Sequence, residues 1–197
     1  MTSETKTLSG RQAVLDGMPD HPALKAVLAW NADALTDANF AYGELTLTID
    51  PEAIRATCSA LQAAGYNFFE DMTAIDWFPT SPRFQLSYHI LSHKLLDRIR
   101  LRVMLGEADP TVDSITPVWP GANFFEREVF DLFGIRFDGH PDLRRILMWD
   151  EFKDHPMRKD YAEPDDYEWE PTPHGAVLEK ARLHYPAPPA RAEEAKP

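Results

Sequence analysis

Two neighbouring stretches, "RFQLSYHIL" at residues 83–91 and "RIRLRVML" at residues 98–105, constrain the fold more than anything else in the chain. In the first, Phe84, Leu86, Tyr88 and Ile90 share one side; in the second, Ile99, Leu101 and Val103 oppose Arg98, Arg100 and Arg102. A period of two is the pattern of a strand with one face in a core and the other in water. "YNFFEDMTAIDWF" ahead of them is a third strand candidate of mixed pattern, and "GELTLTID", with Leu45, Leu47 and Ile49, is another half-buried strand. The arginine ladder either faces solvent or lies against an acidic neighbour.

Apolar sheet faces need a cover, and two amphipathic stretches can supply it. In "DHPALKAVLAWNADAL" Asp20 stands as N-cap with a proline inside the first turn, and Leu24, Val27, Leu28 and Leu35 fall near helical spacing. "DPEAIRATCSALQAAG" starts with Asp50 as N-cap and Pro51 in the first turn, ends at Gly65, and stripes Ile54, Cys58 and Leu61 along one side. The predicted class is therefore α+β: a mixed β-sheet with helices packed on one face, then a motif-bearing helix and an extended C-terminal tail.

The length of 197 residues suits one domain with a real core. That domain is expected over residues 19–160, with 120–160 as its signature region. Residues 1–18 are expected to be mobile, and 161–197 to form an extended acidic, proline-rich tail. No run approaches the roughly 18 apolar residues of a membrane span, so any membrane association is expected to come through a partner. "MTSETKTLSG" lacks the cationic and apolar regions of a secretory signal, so the chain is expected in the cytoplasm. Cys58 is the only cysteine, so the chain cannot ligate an iron–sulfur cluster or a four-cysteine zinc by itself. A net charge of -12 argues against nucleic acid. Residues 151–170 alone hold eight acids against three bases.

"PGANFFEREVFDLFG", residues 120–134, reads as a helix with Asn123 as N-cap, Glu126 at its third position and Gly134 as its stop. On a helical wheel Glu126 falls among the phenylalanines, whereas Arg127, Glu128 and Asp131 form the polar side. A carboxylate in apolar surroundings needs a partner. Glu126 either folds back onto the Asn123 N–H as in a capping box, or accepts a guanidinium from Arg144 or Arg145. Downstream, His140-Pro141 precedes Leu143, Arg144 and Arg145, and His155-Pro156 precedes Met157, Arg158 and Lys159. Each proline holds its histidine extended, so each copy is a stiff lead-in to an aliphatic residue and a cation pair. One arginine of Arg144 and Arg145 is expected to pair with a carboxylate of residues 126–131, the other to face outward. The first copy is expected to act mainly as an internal clamp, the second mainly as docking surface.

"EREVFDLFGIRFDGHPDLRRIL" and "DHPMRKDY" together resemble the signature of the thirty-kilodalton subunit of NADH-quinone oxidoreductase, respiratory complex I. Met157 stands where the family usually has leucine, a volume-conserving change. The resemblance implies a non-redox structural subunit of the peripheral arm, on the cytoplasmic side of the cell membrane. Its implied neighbours build the quinone site and carry the iron–sulfur centres; FMN, Fe-S clusters and quinone would all be bound by partners and none by this chain. The holoenzyme would be a proton-pumping oxidoreductase and the isolated chain inactive. The signature or interface residues so implied are Glu126, Arg127, Glu128, Asp131, His140, Arg144, Arg145, His155, Arg158 and Lys159, with no catalytic, cofactor or metal residue. The acidic segment 161–185 is expected to become ordered on a partner's surface.

Two alternatives stand beside it. Similar domains belong to membrane-bound hydrogenases and plastoquinone dehydrogenases, which would change the electron donor. A metal-dependent hydrolase could draw on His140, Asp142, His155, Asp160 and His174 from a loop-rich region, and His89 with His93 is a weaker metal pair.

Overall fold

The alternating stretches occupy the interior of a six-stranded sheet. A computed structural model describes residues 7–162 of the chain. In chain order these form β1 (Leu8–Ser9), α1 (Arg11–Gly17), α2 (Pro22–Asn31), β2 (Leu35–Ala41), β3 (Glu44–Ile49) and α3 (Ile54–Ala63). There follow β4 (Phe68–Asp76), β5 (Phe84–Ser92), β6 (Asp97–Leu105), β7 (Thr111–Asp113), α4 (Ala122–Phe133) and β8 (Arg136–Asp138). The large sheet runs β1-β2-β3-β6-β5-β4, and β7 and β8 pair separately in parallel. Only the β3–β6 pair of the large sheet is parallel, so it is mixed, as the α+β class predicts.

Leu45, Leu47 and Ile49 of β3, Phe84 to Ile90 of β5 and Ile99 to Leu105 of β6 turn alternate side chains into one core. Ala23, Leu24 and Val27 of α2 and Ile54, Cys58 and Leu61 of α3 join that core. Burial pushes the Cys58 thiol up, away from thiolate chemistry. Asp50 caps the start of the α3 region by accepting the Glu52 N–H at 2.9 Å, as expected. The β2–β3 hairpin turns on Tyr42 and Gly43, both at positive φ, as a two-residue turn of matching twist requires.

Several expectations are corrected. Asp20 is not the N-cap of α2: it is engaged with Lys25 at 2.7 Å, and the His21 ring accepts the Ala23 N–H at 3.3 Å instead. Leu35 leaves the helix and opens β2, because Asn31 accepts the Asp33 N–H and begins a separate turn. Regular structure begins at Leu8, ahead of the expected domain start at residue 19. There β1 pairs with β2 and α1 buries Val14 completely. On the face away from the helices, Glu44 takes Arg100 at 2.7 Å with Arg98 at 3.8 Å, so two rungs of the arginine ladder lie against an acid. Apart from its first two residues, the predicted 161–197 tail, with its expected ordering on a partner, lies outside the described residues. Among those residues no helix is long and apolar enough to cross a membrane.

Val14→Ala removes two fully buried methyl groups from α1 and is expected to lower the unfolding free energy by about 1 to 3 kcal/mol in urea titration. An unchanged midpoint would detach α1 from the domain.

Candidate functional site

The motif residues converge on α4, which Gly134 terminates at φ 71 by donating to the Phe130 carbonyl at 2.9 Å. At its other end the expected capping box does not form. The helix begins one residue before Asn123, which leaves Asn123 helical and its carbonyl facing the His140 Nε2 at 3.2 Å. Since His140 Nδ1 accepts the Asp142 N–H at 3.0 Å, the ring hydrogen on Nε2 is the one directed at that carbonyl.

Glu126 takes neither of its expected partners. Wholly buried, it reaches the turn after β7, accepting the Ile115 N–H at 2.7 Å and the Ser114 hydroxyl at 2.6 Å, with Thr116 Oγ1 at 3.4 Å. His140 Nε2 stands 3.9 Å away. From the outside of the same turn Arg55 donates to the Ser114 carbonyl at 2.8 Å. Burial pushes the Glu126 pKa up to about 7, against the lowering effect of these hydrogen bonds and of Arg55. Glu126 is thus a latch between α4 and the β7 turn.

The polar side of α4 is not a solvated face. Residues 142–148, which have no regular structure, lie across it, and their backbone groups need partners. Arg127 donates from Nε to the Arg144 carbonyl at 3.2 Å and from Nη2 to the Arg145 carbonyl at 3.0 Å. One turn later, Asp131 Oδ2 accepts three successive N–H groups, from Ile146 at 3.0 Å and from Leu147 and Met148 at 2.8 Å. Arg145 Nη1 completes the set at 2.6 Å from Asp131 Oδ1. Spacing of i and i+4 puts a donor side chain and an acceptor side chain on one line of the helix, where they match the carbonyls and amides of the strap. Burial alone would raise the Asp131 pKa, but the bonds from Met148, Ile146, Arg145 and Leu147 outweigh it and the pKa is lowered.

Arg145 is therefore the internal partner and Arg144 the outward one, exposed and paired with Asp142 at 2.8 Å among the described residues. Glu128 is exposed. The second His-Pro copy, expected mainly as docking surface, is also a clamp. His155 Nδ1 donates to the Asp131 carbonyl at 2.9 Å, the Met157 N–H to Leu132 at 3.1 Å, and Arg158 Nε to Phe133 at 2.6 Å. With Gly134 on Phe130, each of the last four carbonyls of α4 has a donor. Burial lowers the His155 pKa, which keeps the ring in the neutral form that donates from Nδ1.

Arg83 and Asp76 were missed. Arg83, 2% exposed, meets Asp76 through Nε at 2.9 Å and Nη2 at 2.8 Å, Glu107 at 2.6 Å and Asp160 at 3.0 Å. Asp76 also accepts the Lys159 N–H at 2.9 Å. The second copy is thereby fastened to the β4–β5 end of the sheet. An acid and an arginine flanking the proline-bearing loop 77–82 were the available signal. The hydrolase constellation is not assembled. His140, His155 and Asp160 serve separate bonds, His174 lies outside the described residues, and no group of three candidate ligands gathers among the described ones. His89 faces Glu44 at 3.5 Å, and His93 packs edge-on against Phe68.

Residues 47–167 match the family described as respiratory-chain NADH dehydrogenase, 30 Kd subunit. The chain belongs to this family. The match runs from β3 through α4 and both His-Pro copies, well beyond the signature itself. The C subunit of NADH-quinone oxidoreductase from Citrifermentans bemidjiense is 45% identical over 131 residues, 66% of this chain and 81% of that relative. A C subunit of the same enzyme from Rhizobium meliloti is 40% identical over 141 residues, 70% and 77% of the two chains. A solved trypsin-resistant fragment of Nqo5 superposes with a TM-score of 0.56 at 31% identity, covering 62% of this chain and 100% of the fragment. A chain from an archaeal membrane-bound sulfane sulfur reductase shares the fold at 19% identity and a TM-score of 0.55, over 78% and 84% of the two chains.

Two substitutions probe the family's signature helix. Because the folded Glu126 pKa of about 7 lies above its ordinary value of 4.5, its stabilising contribution is complete below about 4.5 and is lost as pH rises through 7. Between pH 5 and 8 the wild type is expected to lose about 1 to 3 kcal/mol relative to Glu126→Gln in denaturant titrations. Asp131→Asn strips the charge that Arg145 and three amides share, and is expected to cost about 3 to 5 kcal/mol in the same measurement.

Proposed function

We propose that the chain is a non-redox structural subunit of the peripheral arm of a proton-pumping NADH-quinone oxidoreductase. In this role it supports electron transfer from NADH by holding the subunits that build the quinone site and carry the iron–sulfur centres. One observation carries the reading. The charged signature residues are mostly spent inside the chain, holding the strap still, while its aliphatic side chains are turned outward. Ile146 is 37% and Leu147 59% exposed although their amides are buried on Asp131, and Met157 is 55% exposed beside the Arg158 cap. Fixed apolar side chains around an internally satisfied polar frame suit a permanent interface, since little order is lost on docking.

FMN, Fe-S clusters and quinone would then sit in partner subunits; a single buried cysteine cannot ligate a cluster here. Contact with those subunits would hold the chain at the cytoplasmic side of the cell membrane. The names of the relatives favour NADH as donor over the hydrogenase and plastoquinone-linked alternatives.

Leu147→Asp tests the interface. Unfolding of the isolated chain is expected to change by no more than about 0.5 kcal/mol, because the side chain is already exposed. Recovery of the chain with detergent-solubilised complex, and NADH-quinone activity of the membranes, are expected to fall about tenfold or more. Normal assembly of the variant would remove the strap from the interface.

A further inference from the structure

We infer that the open face of the large sheet is a second docking surface, which takes a segment of another subunit presenting one carboxylate among aliphatic side chains. The inference rests on the subunit reading above but concerns a different side of the molecule.

The alternation in β4, β5 and β6 that turns their apolar residues toward the helices leaves the opposite face without a covering helix among the described residues. Its charges are unevenly satisfied. Glu44 gathers Arg100, Arg98 and His89 at one end of the face, within 2.7 to 3.8 Å. Arg102, the third rung of the same ladder, has no ion pair or side-chain hydrogen bond among the described residues. It is half-buried between Ser87 and Thr48, its neighbours on either side in a row that runs Thr73, Ser87, Arg102, Thr48 and Asp37; the acid of that row lies two strands away and accepts the Arg11 N–H at 3.1 Å.

The next row is Ile75, Gln85 and Met104, continued by Trp77, whose indole donates to Gln85 at 3.2 Å. Ile75 is 37% and Trp77 45% exposed. A lone guanidinium beside a strip bearing an aromatic and an aliphatic side chain is complementary to a carboxylate beside aliphatic side chains. Arginine and tryptophan are also the residues that most often anchor interfaces. A polyanion is a poor occupant, since the chain carries a net charge of -12 and this face, among the described residues, sets one unpaired cation against the exposed Asp71 of the neighbouring row. An acidic protein segment needs only that one cation.

The test uses the whole complex purified from membranes, with a benzophenone amino acid replacing the exposed Thr73, and with the same probe replacing Leu147 as the control. The Thr73 probe is expected to crosslink to another subunit, at a peptide in which Asp or Glu is flanked by aliphatic residues. Arg102→Glu is expected to cut that crosslink and the recovery of the chain in the complex about tenfold or more, Arg102→Lys to retain both, and neither to shift unfolding of the isolated chain. Crosslinks confined to residues 163–197 of the same chain or to a second copy, no crosslink, or full recovery of Arg102→Glu would overturn the inference. If the Leu147 probe still reaches another subunit, the subunit reading survives that outcome; if neither probe does, both fall.

Discussion

The carboxylate of Asp131 is the interaction on which the strap depends. Residues 142–148 have no helix or strand to satisfy their backbone, and an irregular segment laid over a helix would normally bury amides at a cost of about 1 to 3 kcal/mol each. Three of those amides end on one carboxylate oxygen, and the other oxygen holds Arg145. Arg127 does the converse for the carbonyls of Arg144 and Arg145. One turn of α4 therefore replaces the missing ladder of a whole segment. The same bonds fix the outward direction of Ile146 and Leu147, since amides that point in leave their side chains pointing out.

Acids on one helix meet different fates because their surroundings differ, not their chemistry. Glu126 is enclosed with two short neutral donors and no guanidinium bonded to it, so burial dominates and its proton is held to about pH 7. Asp131 is as deeply buried but has a guanidinium and three amides, and stays ionised. Glu128 meets solvent. The latch and the strap anchor consequently respond to opposite pH windows: the Glu126 contribution fades as pH rises toward 7, and that of Asp131 fades as pH falls below the usual carboxylate range.

What the sequence reveals follows from how regular each pattern is. Strands β3, β5 and β6 were legible because every second residue is apolar, and α3 because Asp50 and Gly65 mark its ends. Strand β2 was not: it buries Leu35 and Ala38 three apart across a register shift, which breaks the period of two. A helical wheel assigns Arg127 and Asp131 to solvent because it has no knowledge of a covering segment without periodicity. Arg83 stayed hidden for a related reason, since its acids lie 7, 24 and 77 residues away and no local spacing joins them. The signature motif was recognisable as a string, yet the bonds that its residues make belong to tertiary structure.

The two His-Pro copies look like one device aimed at two targets, and the structure gives them a common one. The first crosses the polar side of α4 through Arg144 and Arg145; the second closes its C-terminal carbonyls through His155, Met157 and Arg158. Arg145 Nη2 joins them by donating to the Asp154 carbonyl at 3.1 Å. Asp160 then carries the second copy to Arg83 and hence to the strands. A load applied to Leu147 or Met157 would pass through short, mostly charge-assisted bonds into α4 and the sheet instead of being absorbed by a loose loop. That continuity places the outer side chains of irregular segments as firmly as if a regular element carried them.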